Sequence, residues 1–282
     1  MRSPTHATPP AIAPDAGGTA VGVREAVSAY AGHVAAMAAA ELRKLRHEPS
    51  ALFMRAVQPV LWLVVFGQVL AQVRALPAEG LGYLAFLAPG VLAQSVLFIA
   101  IFYGISAIWE RDLGVVHKYL VSPAPRSALV LGKCIGAAVR GLSQVGVVYL
   151  VAVLMDVRLD WRPAHVAGVL VFVALGAALF ATFSLVIACL VRTRERFMGI
   201  GQLITMPFFF ASSAVYPLAL MPGWLHAVAR VNPLTYEVDG LRALMISGGT
   251  STLGVGTALA VLVGATAALV ALAARLFPRL GQ

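Results

Sequence analysis

The chain has 282 residues, of which 60% are hydrophobic and only 12% charged. A soluble globular domain carries about 25% charged residues, so that class is excluded, as are disordered and collagen-like chains. The formal net charge of +9 therefore bears on which side of a bilayer the cations occupy, not on nucleic acid, and two cysteines, Cys134 and Cys189, make no disulfide framework.

Residues 1–20 are rich in Pro, Thr and Ala, lack an apolar run and read as a short disordered tail with no secretory signal. From 22 to 47, Val23, Val27, Tyr30, Val34, Met37, Leu42 and Leu45 recur at close to a 3.6-residue period, with Arg43, Lys44 and Arg46 at the end. This predicts an amphipathic helix at the membrane interface. It serves either as a surface anchor or as a contact for a partner. Pro49 ends it, and Ser50 caps the first span.

Six stretches free of Asp, Glu, Lys and Arg come next: 56–73, 80–109, 141–155, 163–191, 197–229 and 243–274. A spanning helix needs about 20 apolar residues. Only 141–155 is too short, and it extends back to Cys134 if Arg140 snorkels to the headgroups. The expected spans are thus about 52–73, 84–109, 134–155, 164–191, 198–216 and 252–274. With the N-terminus in the cytoplasm, 16 of the 21 Lys and Arg residues fall on the cytoplasmic side and 5 outside. That asymmetry predicts a multi-pass protein of the inner (plasma) membrane with both termini cytoplasmic.

Between the second and third spans, Leu113, Val116, Tyr119 and Leu120 can share one face of a short helix over 110–121. Glu110 and Asp112 would open it, where the helix dipole favours negative charge, and Pro123 and Pro125 would stop it. It reads as a rigid lever on the cytoplasmic side or as an ordinary polar loop. Arg192, Arg194 and Arg196 mark a tight cytoplasmic turn after the fourth span. After the fifth, Pro217, Pro222 and Pro233 break an apolar segment into pieces. Asn232 at the N-cap with Pro233 at the first helical position is a strong helix start. Two short helices forming an outer re-entrant hairpin before the last span fit best, with Trp224 and Tyr236 at the interface. The hairpin acts as a structural lid or as a gate.

Several chemistries are missing. Gly132-Lys133-Cys134 departs twice from a phosphate-binding loop, with Ser127 where a Gly is needed and Cys134 where Ser or Thr is needed. His47-Glu48 lacks the second His of a zinc protease, Ala51 standing there, and no histidine cluster has metal spacing. None of the twelve carboxylates falls at a predicted span centre, where an ion-coupled carrier keeps one. Gln94, Gln144 and Gln202 lie within spans, where they line a passage or glue helices together. Gly132 and Gly136 form a close-packing pair. A protein of this kind that moves solute against a gradient draws its energy from another chain. The rival reading is an autonomous ion-coupled carrier or intramembrane enzyme.

Three stretches carry a family resemblance: Trp109-Glu110-Arg111-Asp112-Leu113-Gly114 with Leu120-Val121-Ser122-Pro123-Ala124-Pro125-Arg126; Gly132-Lys133 with Arg140; and Asn232-Pro233-Leu234-Thr235-Tyr236-Glu237-Val238-Asp239-Gly240-Leu241-Arg242. On them the chain resembles the permease subunits of ABC type-2 exporters, in the branch of daunorubicin-resistance and nodulation-factor exporters, over about residues 22–275. Val115 stands where relatives usually have Thr, and an acidic residue is usual near His117. The resemblance implies an all-α integral membrane protein: residues 1–20 a cytoplasmic tail, 21–282 one transmembrane domain of six helices with the interfacial N-terminal helix and the outer hairpin. It implies a permease that is not itself an enzyme and moves a drug-like or lipid-linked substrate out of the cytoplasm. Two cytoplasmic ABC ATPase subunits, carrying ATP and Mg that this chain does not bind, and a second permease, the same or different, complete the assembly in membrane lipid. By the same analogy Glu110, Arg111, Asp112, Leu113, Gly114, His117 and Leu120 couple to the ATPase. Pro222, Trp224, Asn232, Pro233, Tyr236 and Asp239 belong to the outer segment.

Overall fold

The computed structural model describes residues 23–46, 49–72, 82–116, 121, 125–191 and 193–281. The expected 1–20 tail, His117 and Leu120 lie outside the described residues. The chain is helical: α1 Val23–Arg46, α2 Pro49–Leu61, α3 Gln68–Ala71, α4 Tyr83–Tyr103, α5 Ile105–Asp112, α6 Arg126–Leu154, α7 Pro163–Leu190, α8 Arg194–Phe210, α9 Gly223–Val231, α10 Pro233–Met245 and α11 Val255–Leu276. Five segments among the described residues are long and apolar enough to cross a membrane: Met54–Ala71, Tyr83–Asp112, Arg126–Leu154, Pro163–Leu190 and Val255–Arg279. The sixth expected crossing, 198–216, begins as α8, but that helix has 17 residues and the chain turns from Ala211 onward. At 1.5 Å per residue it covers about 25 Å, short of the roughly 30 Å of hydrocarbon.

α7 is the hub and packs against α4, α6, α8, α10 and α11. Small residues permit these approaches. Gly141 of α6 lies against Ala177 of α7 and Val96 of α4, and a side chain at Gly240 of α10 would run into the Phe172 ring of α7. Without a hydrophobic drive between helices in lipid, close packing and interhelical hydrogen bonds hold such a bundle. The Ser184 hydroxyl in α7 donates to the Ile101 carbonyl of α4. By contrast α2, α3 and α11 sit at the rim, with Val57, Leu61, Val64, Phe66 and Val69 exposed along one edge and Val263 and Leu272 along another.

Two helix breaks have local causes. Pro59 inside α2 offers no N–H to the preceding turn. The helix then widens into a π-helical segment, Trp62–Gly67, before α3. The lever helix expected over 110–121 is differently placed. Its first residues form the last turn of α5, which ends where Gly114 takes φ +70° and its N–H meets the Arg111 carbonyl at 2.9 Å. Glu110 and Asp112 therefore sit at a helix C-terminus, the unfavourable end of the dipole, and each is matched there by a cation. Helical geometry resumes at Val115 and Val116.

The third span starts earlier than its hydropathy suggests. α6 begins at Arg126, directly after Pro125, and takes Lys133 and Arg140 inside. Arg140 does not snorkel: it is 7% exposed, and its guanidinium carbon lies 4.5 Å from the Tyr103 ring centre. Local neutralisation replaces reach to the headgroups.

At the far end of α6 the connection to α7 is tied to the end of α10. The Asp160 N–H donates to the Met245 carbonyl at 2.9 Å, and Ser247 N–H to Arg158 carbonyl at 2.9 Å. Asp160 itself accepts the Arg162 N–H at 2.9 Å and lies 2.9 Å from His165 Nδ1. The Arg162 N–H, followed by the charges of His165 and Arg162, holds its carboxyl below the usual carboxylate range. A depressed carboxyl stabilises the fold above that range and loses its contribution as pH falls through it. Amide-exchange protection over 158–166, taken relative to the intrinsic rate at each pH, is therefore expected to fall as pH drops through the carboxylate range, a step that Asp160→Asn removes.

Candidate functional site: a buried ion network and an interior helix

Three elements distant in sequence meet where α1 crosses α6. The two run side by side: Tyr30 bonds Ser127 at 3.1 Å, Met37 fills the space over Gly132, and Glu41 fills the space over Gly136. Only glycine leaves that room. α1 is thus seated on a spanning helix, with Met37, Ala38 and Glu41 buried.

Glu41 is 1% exposed, Glu110 7% and Lys133 4%. Lys133 Nζ lies 2.8 Å from Glu110 Oε2 and 3.7 Å from Glu41 Oε1, and Arg140 Nη1 lies 3.6 Å from Glu41 Oε2. Arg140 also donates to the Gly136 carbonyl at 3.2 Å. Among the described residues, two carboxylates and two cations meet on α1, α5 and α6, with Tyr103 of α4 against both cations. Such a set holds its geometry strongly, because removing one member leaves an uncompensated buried charge.

Of the residues expected to couple to a partner, Glu110 points inward to this network. Arg111 is half-buried and reaches the Val191 carbonyl at 3.4 Å, while Asp112 and Leu113 are exposed beside it. Asp112 is gripped by Arg194 at the start of α8, with Nη2 at 2.7 Å and Nε at 3.0 Å, and Arg194 lies over the exposed Trp109 ring at 4.5 Å. An exposed pair of this kind contributes only about 0.2–1 kcal/mol, so it is free to be exchanged for a contact elsewhere. Sequence alone does not single out Glu41, Lys133, Arg140 and Tyr103 together. The Gly132/Gly136 spacing is the available signal, and it marks the groove that α1 enters.

The second region centres on α10. The Asn232 side chain accepts the Leu234 N–H at 3.0 Å, capping α10, and donates to the Phe208 and Ala211 carbonyls at 2.7 and 2.8 Å, closing the end of α8. Asp239 accepts from the hydroxyl of Ser251, from Thr252 N–H and hydroxyl at 2.9 and 2.7 Å, and from Leu253 N–H at 3.1 Å. It ties α10 to the turn that starts α11. Arg242 donates to the Ser213 carbonyl at 2.7 Å and lies 3.8 Å over the Phe86 ring. Tyr236 is half-buried and donates to the Arg230 carbonyl at 2.8 Å; Pro222 and Trp224 are exposed.

α10 runs along α7, with Leu244 against Gly168, Gly240 against Phe172 and Glu237 against Gly176. Gly176 is the middle of the 28-residue α7. No carboxylate lies at a predicted span centre, yet Glu237, from a segment between spans, is 0% exposed at that depth, and neither of its carboxylate oxygens has a hydrogen-bond partner among the described residues. Sequence places it between helix breaks, where depth cannot be read. A polar group enclosed without a partner costs stability. Glu237→Gln keeps the shape and removes the ionisable group. The expected result is a thermal midpoint at neutral pH equal to or above that of the parent.

The register of α4, α6 and α7 sets Gln94 and Gln144 at about this same depth, since Gly141 meets both Val96 and Ala177. Both glutamines are 1% exposed, and each has a side-chain atom without a partner. Gln202 is exposed on α8 and does not join them.

The ABC-2 type transporter family matches residues 33–246, which span the α1 seat, the ion network and α10. This chain belongs to that family. It is similar to the transport permease ycf38 of Cyanophora paradoxa, 28% identical over 205 residues covering 71% of this chain and 70% of the relative. A daunorubicin resistance ABC transporter permease of Streptomyces coeruleorubidus is 27% identical over 233 residues, 82% and 81% of the two chains. Nodulation protein J of Rhizobium meliloti is 28% identical over 171 residues, 60% and 64%. The protein is accordingly a multi-pass permease of an ABC-2 type exporter, the membrane part that lacks the ATPase domain.

Proposed function

We propose that this permease moves a drug-like or lipid-linked substrate out of the cytoplasm, driven by two ABC ATPase subunits that bind ATP and Mg and dock against its α1 end. That end faces the cytoplasm, both termini lie there, and a second permease completes the conduit in the plasma membrane. Residues 21–282 form one transmembrane domain behind the 1–20 tail. α8 is a sixth crossing, completed by the turns after Ala211. α9 and α10 form the outer re-entrant hairpin, with α10 packed to the middle of α7.

The observation that carries this reading is the buried ion network joining α1, α5 and α6. A push on α1 or on the exposed Arg111-Asp112-Leu113 corner passes into two spanning helices without first extending a soft loop. His117 and Leu120 are taken to contact the ATPase as well. Gln94 and Gln144 lie where the shifting helices would open a path, and Gln202 faces the second permease.

Reconstitution tests it. ATP-dependent movement of substrate in proteoliposomes is expected only when the ATPase subunits are present; flux by the permease alone, or an intact Glu237 requirement for flux, would favour an ion-coupled carrier. A charge-reversal pair separates coupling from folding. Arg111→Asp with Asp112→Arg is expected to lower ATP-driven transport about tenfold, some 1.4 kcal/mol of coupling, at unchanged membrane insertion. Exchanging the partners internally, Asp112→Arg with Arg194→Asp, rebuilds the surface ion pair. Transport stays low if the ATPase reads these charges and returns if they serve the fold alone.

A further inference from the structure

We propose that Asn232 is a positioning residue that carries movement of α8 to the α9–α10 hairpin during transport. Three helix ends meet at this one residue. Its N–H donates to the Val228 carbonyl at 3.1 Å, ending α9, and its side-chain oxygen accepts the Leu234 N–H at 3.0 Å, starting α10. Its amide donates to the Phe208 and Ala211 carbonyls at 2.7 and 2.8 Å, at the end of α8. A primary amide has two N–H donors, so both go to α8. The residue is 6% exposed.

The joint lies deep in the bundle. Phe208 packs edge-on against Phe180 and Phe183 of α7, with ring centres 5.8 and 5.7 Å away. Those two stand just past the middle of that 28-residue helix. The register of α10 agrees, because Glu237, further along α10, meets Gly176. A helix that stops at this depth leaves its last carbonyls where hydrocarbon offers no donor, and Asn232 supplies the donors. The other end of α8 is held at the exposed corner, where Arg194 grips Asp112 of α5. Between these ends Met198, Leu203, Met206 and Phe210 are exposed, so the outer side of α8 is free of the bundle. Coupling travels along rigid elements and the bonds that join them. A displacement at Arg194 therefore arrives at Phe208 and Ala211. The covalent connection from α8 to α9 runs through 211–222, a stretch of turns with one short 3₁₀ piece. The Asn232 bonds bypass it. From Asn232 the path continues along α10 to Asp239 and the turn that starts α11. The inference rests on the proposed docking of an ATPase at the α5–α8 corner, and the experiment tells the two apart.

The test uses the permease–ATPase complex in nanodiscs, with a nitroxide on Met198→Cys of α8 or on Trp224→Cys of α9. Both sites are exposed, and the native Cys134 and Cys189 are buried. A non-hydrolysable ATP analogue is expected to shift the spectrum of each label in the parent. Asn232→Asp keeps the oxygen that caps α10 and loses both donors to α8. It is expected to keep the shift at position 198 and to lose most of the shift at position 224. ATP-driven transport should fall about tenfold, the scale of two hydrogen bonds. Asn232→Thr retains a cap and one hydroxyl donor and falls between. Loss of both shifts in Asn232→Asp overturns the proposal, because Asn232 then serves the fold alone. Both shifts retained with normal transport overturn it as well, because the joint is then idle. No shift at position 198 in the parent overturns the ATPase reading instead. The joint is then judged without nucleotide, with Gly201→Val as a wedge that pushes α8 off Ile101 and Phe102. That wedge is expected to shift the label at position 224 in the parent and not in Asn232→Asp; equal shifts in both, or none in either, overturn the proposal.

Discussion

Lys133→Met is expected to destabilise the permease by about 3–5 kcal/mol, the usual result of deleting one side of a buried ion pair. Lys133 sits 2.8 Å from Glu110 and 3.7 Å from Glu41 and is 4% exposed. Its removal takes from Glu110 and Glu41 the buried cation they share. The measurement is the thermal midpoint of the purified protein, read beside ATP-driven transport. The quadruple variant Lys133→Met, Arg140→Met, Glu41→Gln, Glu110→Gln removes both cations with both carboxylates and is expected to recover most of the midpoint. Transport should not recover with it, because the rigid link between α1, α5 and α6 is gone. Full recovery of both would show that the network serves stability alone; no loss in the single variant would show that the three charges are not enclosed together.

Asp239→Ala is expected to have a comparable effect at the other end of the molecule. One carboxylate takes four hydrogen bonds from Ser251, Thr252 and Leu253. Hydrogen bonds to a charged group contribute about 1.5–3 kcal/mol each and are not additive, so a loss of about 3–5 kcal/mol is expected. The damage is local: the turn leading into α11 loses its anchor on α10. Limited proteolysis should therefore cut within 247–254 before any other segment. Asp239→Asn keeps one acceptor, loses the charge and falls between parent and Ala. A midpoint unchanged in Asp239→Ala would mean that the 251–254 turn holds itself, through the Ser251 hydroxyl that accepts the Gly254 N–H at 2.7 Å.

Both regions show how motif and geometry relate in this chain. Asn232-Pro233 reads as a helix start because a cap and a fixed proline φ act within two residues, and α10 begins at Pro233. The other tasks of that stretch are not legible. That Asn232 also closes the end of α8 and that Asp239 holds the start of α11 depend on which backbone groups folding brings within about 3 Å of each side chain. Glu237 escapes a sequence reading for the same reason. Its neighbours in sequence are proline-broken and look peripheral, and only the packing of α10 along α7 puts it beside Gly176.

The cytoplasmic-side expectations divide similarly. An amphipathic helix at 22–47 is apparent from its period, and α1 spans Val23–Arg46. Its seat is hinted at by Gly132 and Gly136 but not assigned, because a small-residue groove states that something approaches closely without naming what. Hydropathy sends Arg140 to the headgroups because it weighs each residue alone. In the fold Arg140 is paired with Glu41, from a segment about 100 residues away.

Length and apolar composition suffice to put the chain in a bilayer and to make it helical with several crossings, because hydrocarbon offers backbone groups no other partner and dictates the span each helix must cover. Residue types at fixed spacing are likewise enough to show that it has no phosphate loop. Which charges lie inside the bundle, which helix α1 rests on and how deep Glu237 sits emerge only when the helices pack. Those properties are sums over contacts between distant segments, and a buried charge is tolerable only where folding delivers its counter-charge.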